Sequence, residues 1–191
     1  RTRIESVKST QQITSAMKMV SAAKLKKAQN AILRLRPYAS KLKEILGNLS
    51  ESLEKSGEDV FSKERKLQKV LLVVVTSNRG LCGAFNSNVT KLAINRIVSE
   101  YPELYKQEKL DIFCIGKTGM EYFNRRKIRL AEVNNEVYDN LTFENVAPIA
   151  EKLMKSFADG TYDRIEIIYN QFKNAASQVL VNEQFLPIPK A

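Results

Sequence analysis

From Arg1 to Leu53 apolar residues return at helical spacing without a break. At about 100° per residue, Ile13, Met17, Val20, Ala28, Ala31, Leu35, Tyr38, Leu42, Ile45, Leu46, Leu49 and Leu53 fall on one stripe, which predicts a single long amphipathic helix. At about 1.5 Å per residue such a helix reaches roughly 80 Å, far beyond the diameter of a small domain. A compact fold built from the rest of the chain cannot cover that stripe, so a partner must.

Lys24 falls in the centre of the stripe, where a charge is costly unless it snorkels or meets a carboxylate. A second face, with Ile4, Val7, Ala22, Leu25, Ile32 and Leu33, is apolar too. Two readings follow from this pattern. The helix is either one strand of a coiled coil with a lysine tolerated in its seam, or a shaft lying among several partners.

Charge narrows the choice of partner. The net charge is +10, yet residues 1–50 hold eleven lysines and arginines against Glu5 and Glu44, leaving 20 basic and 19 acidic residues in the remainder. The basic character belongs to the helix, which suits nucleic acid, an anionic membrane surface or an acidic protein. A groove-reading helix is polar where it enters the groove, and no aromatic stacking platform accompanies this one, so no nucleic-acid partner is expected. An acidic protein partner is preferred. The longest apolar run is Val70 to Val75, too short for a transmembrane span, so any membrane association would run through partners. The chain contains no histidine, which removes His-based triads and most transition-metal sites. Cys82 and Cys114 match no metal-ligand spacing and suit a reducing compartment. No catalytic, metal or cofactor-binding residues are expected.

Further along, Pro37 interrupts the helical hydrogen bonding but not the periodicity, which predicts a bend and not an end. The pattern stops near Lys55-Ser-Gly57, and residues 58–69 read as a charged linker. Val70 to Val75 is a continuous β-branched and leucine run that suits a strand buried on both faces. A glycine-punctuated turn, Thr76 to Phe85, leads to a helix over 86–100. Strands are expected at 110–115 and 128–133, with helices at 118–125 and 143–157. Arg164 to Asn170 and Gln178 to Phe185 alternate, and Gln171 to Ser177 between them reads as a hairpin connection. The fold class is therefore α/β: a long N-terminal helix, acting as a coiled-coil arm over 1–57, and a Rossmann-like domain over 70–191 with a mixed, mainly parallel sheet and a C-terminal hairpin.

Two stretches imitate phosphate-binding loops. The strand-turn-helix from Val70 to Glu100 has Gly80 and Gly83 but lacks the third glycine of the dinucleotide fingerprint, and a tight turn accounts for both. Gly116-Lys-Thr118 looks like the end of a P-loop, but Asp111 stands where the first glycine belongs and Ile112 to Ile115 read as strand. Cys82 lies near Arg79 and a helix start, a setting that can lower a thiol pKa, but no base accompanies it and it reads as a packing residue. A freestanding nucleotide-binding α/β protein with a coiled-coil arm is the alternative reading.

Two motifs together point to one family. The run Ser6-Val-Lys-Ser-Thr-Gln-Gln-Ile-Thr-Ser-Ala-Met-Lys-Met-Val-Ser-Ala-Ala-Lys24 and the turn Ser77-Asn-Arg-Gly-Leu-Cys-Gly-Ala-Phe-Asn86 resemble the gamma subunit of the F-type ATP synthase. Arg36-Pro-Tyr38 and Gln184-Phe-Leu-Pro-Ile188 extend the match over nearly the whole chain. The resemblance implies a non-catalytic central rotor stalk that couples proton translocation to ATP synthesis or hydrolysis by rotation. Its implied partners are the alpha and beta subunits of the catalytic hexamer, the epsilon subunit and the membrane c-ring. By motif position it places Met17, Lys18, Lys24 and Arg79 against acidic loops of the beta subunits. It implies a peripheral location on the cytoplasmic face of a bacterial plasma membrane, or alternatively on the matrix side of the mitochondrial inner membrane. The family's C-terminal helix has no counterpart here, so a truncated member is expected. Many members have Asp at the position of Asn78, and the chloroplast-type regulatory cysteine pair has no match, so thiol control is not expected.

Overall fold

The computed structural model describes residues 1–54, 60–174 and 176–189, with the backbone alone at 43, 44 and 46–54. Its chain divides into two compact units, Arg1–Leu49 and Ser50–Ala191.

The first unit is helical from Thr2 onward. Helix α1 runs over Thr2–Glu54, 53 residues, and continues through Pro37 as the unbroken periodicity predicts. Threonine hydroxyls, which compete for backbone groups in helices, are satisfied one turn back: Thr10 donates to Ser6 O at 3.0 Å and Thr14 to Thr10 O at 2.8 Å. The predicted stop at Lys55 to Gly57 lies outside the described residues.

The second unit is organised around β1 (Val70–Val75). In order follow α2 (Phe85–Ser99), α3 (Pro102–Lys106), β2 (Leu110–Ile115), α4 (Lys117–Arg125), β3 (Glu132–Asn134), a 3₁₀ turn at Glu136–Tyr138, α5 (Phe143–Ala158), β4 (Arg164–Asn174) and β5 (Ser177–Leu186). The strands form one sheet in the order β3-β2-β1-β4-β5. β1 is parallel to both β2 and β4, β2 is parallel to β3, and β4 and β5 form the antiparallel hairpin. The mixed, mainly parallel sheet expected from the sequence is present.

Because side chains alternate along a strand, the apolar run of β1 feeds two cores. Val70, Leu72 and Val74 pack with Val89, Ala93 and Ile97 of α2 and Phe123 of α4. Leu71 and Val73 pack with Leu153 and Phe157 of α5 and with Ile165 and Leu186 of the hairpin. Helices on both faces explain why β1 carries no polar side chain at all.

Residues 60–69 carry neither helix nor strand, yet they are fastened to this unit. Phe61 packs into the second core and its carbonyl accepts from Ile188 N at 2.9 Å. Arg65 donates to Phe157 O at 2.7 Å, and Asp163 Oδ2 accepts from the backbone N–H of both Gln68 and Lys69 at 2.9 Å.

Three details differ from the sequence reading. Strand β3 covers Glu132–Asn134 and not 128–133. Lys127 turns the chain at φ 56°, and Ile128 and Leu130 spend their side chains on the core while their backbone stays irregular. Helix α3, absent from the reading, is a five-residue turn begun by Pro102. The hairpin connection is shorter than 171–177, because pairing continues to Asn174, whose Oδ1 accepts from Ala176 N and Ser177 N at 2.9 Å each.

Candidate partner interface

On α1, every described residue of the predicted stripe is open to solvent. Ile13 is 60 % exposed and Met17 64 %, and Val20, Leu35, Tyr38, Leu42 and Ile45 are exposed as well. On the second face Ile4, Val7, Leu25 and Leu33 are also exposed, while Ile32 is half-buried. Met17 and Lys24, seven residues apart, share one side of the helix at about 3.6 residues per turn, with Lys18 about 100° round from them. All three are exposed. The helix thus offers an apolar band with a lysine set into it and further lysines beside it.

Arg79 belongs to the second unit, in the loop between β1 and α2. That loop is anchored at its root by an unusual arrangement. The first three N–H groups of α4, which a helix leaves without internal partners, are all taken by successive residues following β1. Lys117 N donates to Asn78 Oδ1 at 2.9 Å, Thr118 N to Ser77 O at 3.2 Å and Gly119 N to Thr76 Oγ1 at 2.9 Å. Asn78 also donates through Nδ2 to Asn135 O at 2.8 Å, and Tyr138 OH donates to Thr76 O at 2.7 Å. An amide uses both its acceptor and its donor here, which an aspartate at position 78 could not do.

This geometry accounts for Gly116-Lys-Thr118. Gly116 sits at φ 107°, and a Cβ there would lie 2.2 Å from Thr76 O; one on Gly119 would lie 2.7 Å from Cys114 Sγ. The glycines allow α4 to approach β1, and the helix start that a P-loop would turn toward a phosphate is filled by the protein's own acceptors. Lys117 points along its helix to Glu121 at 4.0 Å.

Above the root, Ser77 N donates to Asn86 Oδ1 at 2.9 Å, Asn86 Nδ2 donates to Ser77 Oγ at 2.9 Å, and Ser77 Oγ donates to Arg79 O at 2.6 Å. Asn86 is buried, and Asn170 of β4 donates to Phe85 O at 2.7 Å. The tip, Arg79 to Ala84, is exposed, with Leu81 at φ 60° and Gly83 at φ 58°. Cys82, which the sequence suggested as a packing residue, is instead exposed at the loop tip, and Cys114 is the buried thiol. Burial pushes the Cys114 thiol up to about 12, against a smaller opposing pull from the Thr76 hydroxyl. It is a packing residue.

The sequence reading missed the anchoring set of Thr76, Ser77, Asn78 and Asn86 and the outward leucine. The Ser-Asn pair between a strand and a glycine turn signals a capping or turn role, but its target, α4, lies about forty residues away and no local pattern reveals it.

The ATP synthase family model matches residues 1–191, the whole chain. This chain belongs to the ATP synthase gamma-chain family. It is 55 % identical over 188 residues to the ATP synthase gamma chain of Flavobacterium johnsoniae and 43 % identical to that of Chlorobium phaeobacteroides, in each case over 98 % of this chain and 64 % of the relative. It thus spans 64 % of the length of these curated gamma chains. Among solved structures, the central stalk and c-ring of the Tetrahymena thermophila mitochondrial ATP synthase contains a chain similar to it, with a TM-score of 0.69 and 28 % identity over 92 % of this chain and 72 % of that one. No helix among the described residues is long and apolar enough to cross a membrane.

Proposed function

We propose that this chain is a non-catalytic part of the central rotor stalk of an F-type ATP synthase, coupling proton translocation to ATP synthesis or hydrolysis by rotation. In this reading residues 1–57 form the shaft within the alpha and beta subunits of the catalytic hexamer, 58–69 the connection, and 70–191 the foot, beside the epsilon subunit and the membrane c-ring. The complex holds the chain on the cytoplasmic face of a bacterial plasma membrane. One observation supports the reading above all: the apolar stripe of α1 is exposed along its described length. Burying each such side chain gains about 1.5 to 3 kcal/mol, so a helix with this surface is built to be enclosed by other chains.

Met17, Lys18, Lys24 and Arg79 are proposed to meet acidic loops of the beta subunits. A cation carried past successive carboxylates transmits force without taking part in the chemistry of ATP. Lys24→Glu or Arg79→Glu in the complete complex is therefore expected to reduce ATP-driven proton pumping more than ATP hydrolysis. Proton uptake and phosphate release measured on the same vesicles decide the matter, and equal loss of both activities would reduce these residues to a role in assembly.

A further inference from the structure

At the sheet edge opposite the β1–α2 loop, the second unit carries a run of cations that its own fold does not use. Helix α4 starts beside the end of β1 and runs back along the sheet, so its last residue and the turn into β3 lie at the edge where the parallel strands begin. The six residues of β1, about 20 Å of strand, separate that edge from the loop that holds Arg79. The turn reads Arg125-Arg126-Lys127-Ile128-Arg129, four cations in five residues, and all four are exposed. Ile128 and Leu130 pack against the first core and Ile128 N donates to Phe123 O at 3.1 Å, so the cations stand on a fixed backbone. Arg126 lies 3.8 Å over the Tyr122 ring and Arg125 meets Glu121 at 3.4 Å, whereas among the described residues Lys127 and Arg129 pair with no carboxylate. The acids nearby are engaged: Lys69 and the Tyr162 hydroxyl hold Asp111 at 3.1 and 2.9 Å, and Lys152 holds Glu132 at 2.6 Å. A cation or two at a helix C-terminus complements its dipole. That does not account for Lys127, which sits at φ 56° where glycine costs the backbone less, or for Arg129, which lies past the helix.

We propose that this basic turn makes direct contact with an anionic membrane surface, its ligands being the phosphate groups of lipid headgroups. The proposal rests on the stalk reading given above: with the edge that carries Arg79 turned to the catalytic hexamer, the opposite edge is turned away from it, toward the membrane sector. Charge and spacing suit lipid. A specific protein contact needs one cation in a fixed geometry beside an apolar anchor, but here the intervening Ile128 is turned into the core and only charge faces outward. Adjacent cations without an apolar anchor match a surface of many mobile phosphates, which also yields under a turning shaft because no single partner has to be released and recaptured. Each Lys or Arg close to an anionic leaflet strengthens such binding about fivefold, an effect that fades within a Debye length of about 10 Å at 0.1 M salt.

The test uses the assembled ATP synthase in vesicles, with photoreactive benzoylphenylalanine in place of Arg129 and, separately, in place of Arg79. Both positions are exposed, so neither replacement disturbs the core. The expected result is phospholipid attached at position 129, read as added lipid mass on this chain and greater in vesicles of phosphatidylcholine with phosphatidylglycerol than of phosphatidylcholine alone, with no lipid attached at position 79. Crosslinking from position 129 to protein only, or to nothing, overturns the inference and leaves the stalk reading standing; lipid attached at position 79 overturns the orientation on which both rest. A second measurement isolates the charge. Lys127→Gly removes a cation where the backbone favours glycine, so the chain should melt no lower than the unaltered one. The catalytic sector assembled with it, in which alpha and beta enclose α1, should partition about fivefold more weakly onto phosphatidylglycerol-containing vesicles, and about 25-fold more weakly when Arg129→Gln is added. No binding by the unaltered sector, or equal binding by the variants, refutes the contact.

Discussion

Replacing Glu166 with Gln should be among the most damaging single-atom changes available to this domain. Glu166 sits on β4, only 3 % exposed, where a charge is tolerated only with full compensation. Its Oε1 accepts from Arg96 Nη2 at 2.9 Å and from Tyr101 OH; its Oε2 accepts from Arg96 Nε at 3.2 Å and from Asn182 Nδ2 at 3.0 Å. Every neighbour is a donor, so a glutamine amide would point an N–H at another donor whichever way it turned. Removing one partner of a buried pair costs about 3–5 kcal/mol. The lower end applies here, about 3 kcal/mol, because the Arg96 side chain is 24 % exposed and keeps Glu100 at 3.5 Å. For a domain of this size that is a fall in Tm of roughly 10 °C. Burial pushes the Glu166 carboxyl up, but Arg96, Tyr101 and Asn182 together outweigh it and hold it below the ordinary carboxylate range. A carboxylate depressed in the folded state contributes stability that is present above its unfolded pKa and lost as pH falls through the folded one. Urea unfolding of both proteins should therefore show the full gap at about pH 7 and a shrinking gap as pH is lowered from about 5 toward 2. A gap under about 1 kcal/mol at neutral pH, or one independent of pH, would refute the view that this carboxylate is ionised and fully bonded inside the domain.

Gly116→Ala should destabilise the chain by at least about 2 to 3 kcal/mol, since its Cβ would meet Thr76 O at 2.2 Å on a backbone at φ 107°. Gly80→Ala, with open space around it, should stay within about 0.5 kcal/mol; thermal melts of the pair check both. An alkylating reagent at about pH 8 should label exposed Cys82 in the native protein and leave Cys114 unlabelled until urea unfolds it, because burial removes access and holds that thiol at about 12. Peptide mass spectrometry reads the result, and early labelling of Cys114 would contradict its packing. In a dilute monomeric sample the amides from Ile13 to Ala23 should exchange rapidly, since ordering each residue costs about 1 to 2 kcal/mol and their stripe is exposed. Strong protection there would remove the physical reason for assigning α1 a partner.

The long helix and the parallel core were legible because both are written in local periodicity. Ile13, Met17 and Val20 recur at one helical interval, and the six apolar residues of Val70 to Val75 leave no polar face. What stayed hidden depends on distant residues. Glu166 stands in the alternating Arg164-Ile-Glu-Ile-Ile, which reads equally well with the glutamate in water; its burial is decided by Arg96 and Tyr101, some seventy residues earlier. Strand β3 was misplaced because Ile128 and Leu130 are apolar for the core's sake without being paired. In the hairpin, Gln171 to Ser177 read as the connection, whereas pairing runs on to Asn174, whose Oδ1 accepts from Ser177 N and Ser177 Oγ. Of the candidate contacts, exposure of Met17, Lys18 and Lys24 followed from the uncovered stripe.

The central place of β1 also sets a timetable for synthesis. Its first residue pairs with Leu110 on one side and with Arg164 on the other, 94 positions further along the chain. At about 5–20 residues per second a ribosome needs roughly 5 to 20 s to deliver that second partner. Throughout that interval Val-Leu-Leu-Val-Val-Val has an open edge, no proline and no charge, the composition from which strands of separate chains associate. The charges stand just outside it. Arg65, Lys66 and Lys69 precede the strand and Arg79 follows it, so two nascent copies brought into register would set like charges side by side at both ends. These cations guard the growing chain before any of them meets its place in the finished one.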